Sequence, residues 1–177
     1  MIENEQEQGQ PKEPKGKVMD LILWRHAEAE PGSEELADAL RRLTPKGQKQ
    51  AQKMAYWLDS VLPDNCRILV SPANRTRETM AALAKLNRKF KIAPEIGTEA
   101  TANDLLAAAN WPDSRESVLL VGHQPSLGEV AALLITPQQS ECAVRKGNVW
   151  WITQKERDGE GLRTYLKAIM SPDLIIK

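Results

Sequence analysis

The chain has 177 residues, enough for one domain with a sizeable core, and no change of composition in its interior indicates a second. Its 24 Lys and Arg residues balance its 24 Asp and Glu residues, so no overall field would attract nucleic acid or an anionic membrane. No stretch reaches the roughly eighteen apolar residues of a membrane span, and the N-terminus lacks a signal peptide's apolar core. We therefore expect a cytoplasmic protein whose attraction for anions is local.

Residues 1–17 are rich in Gln, Glu, Lys and Pro and have almost nothing apolar to bury. This composition predicts a disordered tail, followed by a single domain over residues 18–177. Within the domain, Leu21–Trp24 is apolar on both faces, as a buried parallel strand would be. After a polar segment, Thr44 and Pro45 predict the start of a long helix with one apolar face.

The rest of the chain continues to alternate strands with helices. Arg67–Val70 predicts a strand, and the next helix is expected to have Ser71 as its cap and Pro72 as its first residue. Further elements are expected in this order: an extended piece at 91–96, a helix at 103–110, the strand SVLLVGH, a helix at 127–134, and the strands NVWWIT and RTYLKAIM. The alternation predicts a three-layer α/β/α sandwich with a mainly parallel central sheet.

The chain has two histidines, His26 and His123, and each comes at the end of an apolar strand. In open α/β sheets, ligands bind outside the carboxyl ends of the strands, so both rings are expected to face one site. A lone histidine in a small domain is more often structural than functional. The matching placement of these two favours a functional site.

Three arginines strengthen this interpretation, although solvated surface charges are the alternative. Arg25 directly follows an apolar strand, where a guanidinium group would be costly to bury without an anion. Arg75 is expected in the first turn of a helix, where free N–H groups and the helix dipole already favour an anion. With Arg41 from the polar loop, these residues predict a phosphate site held by charge-assisted hydrogen bonds.

Histidine is the remaining candidate for chemistry at such a site. The chain has no P-loop, no DxD-type metal cluster and no CxxxxxR thiolate motif. A neutral imidazole can attack phosphorus, form a phosphohistidine and yield it to water. Nearby guanidinium groups would disfavour protonation of that imidazole and stabilise the equatorial oxygens of the transition state. We expect neither a metal ion nor a cofactor.

Four motifs carry a family resemblance: LWRHAEAE, DALRRLTPKGQKQA, LVSPANRTRET and LLVGHQPSLG. In their order and approximate spacing they resemble the histidine phosphatase superfamily, most closely the compact phosphohistidine phosphatases of the SixA type. The resemblance covers about Met19 to Leu134 and implies a phosphoglycerate mutase-like fold. Ala27 departs from the superfamily's usual RHG, but a small alanine also occurs there in the SixA-like branch.

The resemblance also implies roles for the site residues. His26 matches the phosphorylated nucleophile, and Arg25 matches its neighbouring phosphate ligand. Arg75 matches the arginine of the SPxxR motif, and His123 the second histidine, which contacts the phosphoryl group. Arg41 matches an arginine that reaches the phosphate from the loop before the first long helix.

The general acid and the substrate are less sharply indicated. In many superfamily members a carboxylate after the SPxxR helix protonates the leaving group, and Glu99 is the nearest counterpart, with Glu95 and Asp104 as competitors. A solvated loop carboxylate is the other interpretation of Glu99. A weak or missing acid would favour substrates with good leaving groups, such as phosphohistidine.

The sequence has few segments that could form a cap over the pocket. Only the segments 27–43 and 95–113 are available as walls, so we expect an open pocket. It would suit a phosphorylated side chain on a partner protein, such as a histidine phosphotransfer domain, and would also admit small phosphate esters.

Two rival functions are also considered. The residues HAE at 26–28 resemble the start of the zinc-dependent nucleobase deaminase signature, but the P-C-x-x-C that should follow is missing. The same pocket could also belong to a non-catalytic module that binds a phosphorylated partner. Chelator-insensitive hydrolysis that depends on His26 would separate a histidine phosphatase from both rivals.

Overall fold

The structure is a computed structural model that describes residues 16–136, 142–157 and 159–176. Residues 1–15 of the predicted tail lie outside the described residues. Lys17 is described, and its carbonyl oxygen accepts a hydrogen bond of 3.0 Å from the N–H of Glu156. The chain therefore contacts the folded part at Lys17, while its division into a tail and a single domain stays a prediction.

The described strands form one six-stranded sheet. They are β1 (Val18–Arg25), β2 (Arg67–Val70), β3 (Lys91–Ile92), β4 (Val118–Gly122), β5 (Val149–Arg157) and β6 (Gly161–Met170), arranged in the order β3-β2-β4-β1-β5-β6. The first four in that order run parallel, whereas β5 and β6 join antiparallel. Strands β1 and β4 lie in the centre, which explains why their sequences are apolar on both faces.

Within residues 16–136, 142–157 and 159–176, four α-helices cover the two faces of the sheet. They are α1 (Pro45–Val61), α2 (Asn74–Ala84), α3 (Ala102–Ala108) and α4 (Ser126–Ile135), and short 3-10 turns lie at Asp38–Leu40, Pro94–Ile96 and Pro172–Leu174. Ile22 and Trp24 of β1 pack in a core with α1 and α2, whereas Leu21 and Leu23 pack in a second core with α3 and α4. The predicted three-layer sandwich with a mainly parallel sheet is confirmed. Within the described part of the chain, no helix is long and apolar enough to cross a membrane.

The helix starts agree only in part with the sequence prediction. Thr44 caps α1 through its side chain, as predicted. The predicted start of α2 is wrong, because this helix begins at Asn74 without a side-chain cap. Ser71 instead extends the strand pairing, since its N–H donates to the carbonyl oxygen of Val121 at 3.0 Å. Its hydroxyl is therefore directed to a different partner, described below.

Candidate active site

The two histidines meet at the carboxyl ends of the central strands. Arg25 and Gly122 are paired across β1 and β4, so the next residue of each strand, His26 and His123, emerges at the same edge of the sheet. The ring centroids are 5.4 Å apart, and the rings are tilted by 53°. Both residues are buried, with exposed fractions of 5% and 4%. The sheet thus brings together the two histidines that the sequence places far apart.

The contacts of His26 define which ring nitrogen is free. Its Nδ1 lies 2.7 Å from the carbonyl oxygen of Ala27. Because a carbonyl only accepts, Nδ1 has the proton and Nε2 has a lone pair. The Nε of Arg75 donates to that Nε2 at 3.3 Å. Burial lowers the pKa of His26 to about 3 against the opposing Ala27 hydrogen bond, with smaller contributions from His123 and the two arginines. At neutral pH the ring is uncharged, and its Nε2 lone pair is unprotonated.

His123, at the end of β4, contacts a serine that follows the neighbouring strand β2. Its Nε2 lies 2.7 Å from the hydroxyl oxygen of Ser71. Burial, and then the positive charge of Arg75, lower the pKa of His123 to about 4, while Asp38 opposes this effect. Sequence reasoning missed Ser71 as a site residue because Ser-Pro is typical of a helix start. The only signal in the sequence was that Ser71 directly follows a predicted strand, as both histidines do.

Arg75 and Arg25 flank the histidines. The side chain of Arg75 is 5% exposed, and its Nη1 and Nη2 donate to the backbone oxygen and Oδ2 of Asp38 at 2.8 and 2.9 Å. The Nη1 of Arg25 donates to the carbonyl oxygen of Val144 at 2.9 Å. Burial, followed by the charge of Arg75, lowers the pKa of Arg25 from its usual value. The two guanidinium groups make this end of the sheet positive.

Arg41 is linked to Arg75 by the carboxylate of Asp38, which contacts both arginines. Its Nε and Nη2 lie 2.9 and 2.8 Å from Oδ1 of Asp38, and its Nη1 donates to the carbonyl oxygen of Glu30 at 2.9 Å. Although burial favours the neutral form of Asp38, hydrogen bonds from Arg41 and Arg75 lower its pKa. Sequence reasoning missed Asp38 because it lies among exposed acidic residues of a polar loop. Asp38 precedes Arg41 by three residues, a spacing that allows an ion pair within one helical turn, and this was the available signal.

Among the described residues, none of the three candidate acids forms a hydrogen bond with His26 or His123. Glu95 and Glu99 are exposed and line a cavity of about 420 Å³ that also borders Ser71. Asp104 is engaged elsewhere, because the N–H and hydroxyl of Thr101 both donate to its carboxylate at 2.8 Å and lower its pKa. This capping box at the start of α3 indicates a structural role for Asp104.

The comparisons with known proteins identify the family. Residues 21–97 match the model of the histidine phosphatase superfamily, branch 1. The chain is 34% identical over 128 residues to the phosphohistidine phosphatase SixA homolog of Haemophilus influenzae, covering 66% of this chain and 77% of the relative. This chain belongs to the histidine phosphatase superfamily. The phosphatase is also 29% identical over 122 residues to phosphohistidine phosphatase SixA of Escherichia coli, covering 66% of this chain and 74% of the relative.

Solved structures show the same fold. The protein histidine phosphatase SixA in complex with tungstate superposes with a TM-score of 0.66 at 25% identity, over 88% of this phosphatase and 98% of that chain. The SixA protein of Agrobacterium tumefaciens gives a TM-score of 0.70 at 22% identity, over 86% of this chain and 98% of that chain. The predicted phosphoglycerate mutase-like fold is confirmed.

Two buried nitrogens of the candidate site have no hydrogen-bond partner within the part of the chain that the structure describes. Among the described residues, three buried side-chain nitrogens have no hydrogen bond: Nε of Arg25, Nδ1 of His123 and Nε1 of Trp151. The first two belong to residues of the candidate site. Because buried polar groups are normally paired, these two nitrogens are available to a ligand at the site. The described residues contain no group of three or more His, Cys, Asp or Glu side chains that could hold a metal ion.

Proposed function

We propose that this histidine phosphatase forms a phosphohistidine on His26 and, without a metal ion or cofactor, dephosphorylates phosphohistidine on a partner protein. The observation that supports it most is the pair of unpaired buried nitrogens, Nε of Arg25 and Nδ1 of His123, beside the neutral His26 ring. If the Ser71 hydroxyl donates to Nε2 of His123, Nδ1 has the ring proton and is a donor. Phosphoryl oxygens would then be the missing acceptors.

The first step transfers the phosphoryl group to the enzyme. Nε2 of His26 attacks phosphorus as the bond from phosphorus to the substrate nitrogen breaks, and the leaving imidazole retains the bonding electron pair. Arg75 moves its Nε hydrogen bond from His26 to a phosphoryl oxygen, so its charge stabilises the transition state. The hydrogen bond from Nδ1 to Ala27 stabilises the positive charge that develops on the ring.

The second step returns the enzyme to its starting state. Water attacks the phosphohistidine, the bond from phosphorus to Nε2 breaks, and inorganic phosphate leaves with the oxygen of that water. Nε2 recovers its lone pair, and the water protons pass to phosphate and solvent. Burial favours this return, because it disfavours a charged His26 ring.

The choice of substrate depends on the leaving group and on access. The bond from phosphorus to an imidazole nitrogen is labile, so it needs less help from an acid than an alkyl ester does. This suits a site in which the exposed Glu95 and Glu99 have no hydrogen bond to the described histidines. Residues 30–40, which include Asp38 beside Arg75, are all exposed, so the surface of a partner protein could contact them. The SixA relatives, named as phosphohistidine phosphatases, also support this substrate class.

Small phosphate esters are a second substrate class for the same mechanism. The cavity of about 420 Å³ beside Ser71 is large enough for a small organic group. The two classes differ in the size of the leaving group and in its need for a proton. A direct comparison of substrates therefore separates them.

The test compares substrates on one enzyme preparation. Purified protein is incubated with a histidine phosphotransfer domain phosphorylated on histidine and with a panel of small phosphate esters, and kcat/KM is measured for each. We expect a clear preference for the phosphorylated domain, full activity in the presence of EDTA, and an acid-labile, alkali-stable phosphoenzyme. The His26→Ala variant should lose both turnover and the phosphoenzyme.

Each contrary outcome has a defined meaning. A preference for an ester would overturn the phosphohistidine assignment and leave the mechanism intact. A phosphoenzyme that persists in His26→Ala would show that another residue is the nucleophile. Tight binding of the phosphorylated domain without turnover would identify a binding module instead of an enzyme.

A further inference from the structure

Asp38 uses three oxygen atoms to hold the two arginines of the phosphate site. Its Oδ1 accepts from Nε of Arg41 and lies in ion-pair contact with Nη2 of that residue, its Oδ2 accepts from Nη2 of Arg75, and its backbone oxygen accepts from Nη1 of Arg75. All four distances lie between 2.8 and 2.9 Å. A carboxylate thus already occupies part of the donor set that a phosphoryl group would use.

The count of N–H groups shows how the donors are shared. A guanidinium group has five N–H donors. Arg75 donates one to His26 and two to Asp38 and retains two, whereas Arg41 donates one to Asp38 and one to Glu30 and retains three. A phosphoryl group with three terminal oxygens would therefore meet guanidinium groups that already have an anionic ligand.

The two partners of this ion pair differ in how firmly they are held. The Arg75 side chain is 5% exposed, while that of Asp38 is 57% exposed and belongs to a short 3-10 turn without buried residues. Arg75 also has two neutral acceptors, Nε2 of His26 and the backbone oxygen of Asp38. Burial and these acceptors orient Arg75 without the carboxylate, whereas the Asp38 side chain is largely exposed to solvent.

The negative charge of the Asp38 carboxylate affects how tightly phosphate can bind to the same arginines. An ionised carboxylate is an acceptor only, so it attracts the arginines but repels a phosphate dianion bound to the same groups. Building on the phosphatase function proposed above, we propose that the Asp38 carboxylate is a resident competitor of phosphate at Arg75 and Arg41. It lowers the affinity of the site for inorganic phosphate and thereby promotes release of the product.

The test measures phosphate affinity directly. The inhibition constant of inorganic phosphate against hydrolysis of an aryl phosphate, and its Kd by calorimetry, are determined for the wild type, Asp38→Asn and Asp38→Ala. We expect both constants to fall by roughly 5- to 10-fold in each variant, because one negative charge near the bound dianion is removed. Asp113→Asn is the matched control, since Asp113 is an exposed aspartate whose ion pair is with Lys17 at 3.5 Å. It should leave both constants unchanged.

Opposite results would overturn the proposal. Weaker phosphate binding in Asp38→Asn and Asp38→Ala would show that the carboxylate positions the arginines for phosphate, and unchanged binding would show that it does not influence the ligand. Asp38→Asn retains a side-chain oxygen as acceptor and decides the question if Asp38→Ala misfolds. A wild-type protein that neither hydrolyses aryl phosphate nor binds phosphate would instead refute the underlying phosphatase function.

Discussion

The hydroxyl oxygen of Ser71 lies 2.7 Å from Nε2 of His123, and this contact joins the ends of two neighbouring strands beside the candidate nucleophile. Both residues are buried, so the hydrogen bond is shielded from water. Ser71 also pairs its backbone N–H with Val121, which limits where its hydroxyl can point. The serine therefore fixes one nitrogen of the ring and leaves the other available to a ligand.

We predict that Ser71→Ala lowers kcat without a comparable change in KM. The buried Nε2 of His123 would lose its partner, and a ring that is free to turn would no longer present a fixed donor to the phosphoryl group. A loss of up to about 100-fold in kcat is expected for such a displacement. Steady-state kinetics with an aryl phosphate measure it. Ser114→Ala, which removes another buried hydroxyl with a contact to Glu116, should leave kcat unchanged. Equal kcat values in the two variants would contradict the prediction.

The pH dependence of activity follows from the two lowered pKa values. The pKa is about 3 for His26 and about 4 for His123, against an ordinary value of 6.5. Because attack needs the neutral ring, kcat/KM corrected for substrate ionisation should stay level as the pH falls through 6.5. It should decline only as the pH approaches about 3, where the His26 ring takes up a proton. An acid limb near 6.5 in the corrected profile would show that the rings are not shielded from water in solution.

The same shifts predict a loss of stability in acid. Below pH 6.5 the unfolded chain takes up protons on both histidines, while the folded chain does not until the pH approaches 4 or 3. The free energy of unfolding should therefore fall as the pH is lowered through this window. Denaturant titrations at several pH values measure the slope. The double variant His26→Asn, His123→Asn should have a shallower slope, and an unchanged slope would contradict the prediction.

Arg75→Lys is expected to impair catalysis more than folding. A lysine retains the charge but loses the planar fork that contacts His26 and Asp38 together, so kcat/KM should fall by roughly 100-fold or more. Arg88→Lys is the matched control, because Arg88 also has a largely buried side chain and is paired with Asp59 at 2.7 Å, outside the candidate site. It should lower thermal stability and leave kcat/KM unchanged. Similar kinetic losses in both variants would indicate a general structural effect.

Glu99→Gln tests the assignment of the general acid. If Glu99 protonates the leaving group, its loss should lower hydrolysis of an alkyl phosphate by roughly 100-fold and leave hydrolysis of an aryl phosphate or phosphohistidine almost unchanged. Only the alkyl group is a poor leaving group without a proton. Glu95→Gln is measured in parallel, because Glu95 is the neighbouring exposed carboxylate and competes for the same role. No selective effect on the alkyl phosphate would identify Glu99 as a solvated loop residue.

Gly47→Ala tests a close approach between α1 and the segment after His26. A Cβ at Gly47 would overlap the carbonyl oxygen of Glu28, so one of the two backbones must move. Alanine alone would favour the helix by about 1 kcal/mol, and we expect overlap with a fixed backbone atom to exceed this gain by about 1 to 3 kcal/mol. Denaturant unfolding measures the difference. Gly32→Ala, whose Cβ would lie 3.7 Å from its nearest neighbour, should leave stability nearly unchanged.

Much of the fold could be predicted from local sequence patterns. The strands β1 and β4 were predictable because both faces are apolar, and α1 because Thr44 and Pro45 mark its start. The start of α2 was not, because Ser71 and Pro72 have the chemistry of a helix cap in any context. Only the pairing of β2 with β4 shows that the Ser71 backbone continues the strand.

For the candidate site as well, some features follow from the sequence and others only from the tertiary structure. The sequence alone determined that His26 and His123 follow apolar strands and that arginines accompany them, because these relations are local to each motif. The tertiary structure decided which ring nitrogen of His26 is free, which hydroxyl holds His123, and which carboxylate joins Arg41 to Arg75. These contacts join residues from separate strands and loops. No local pattern encodes them, since each depends on the order of strands in the sheet.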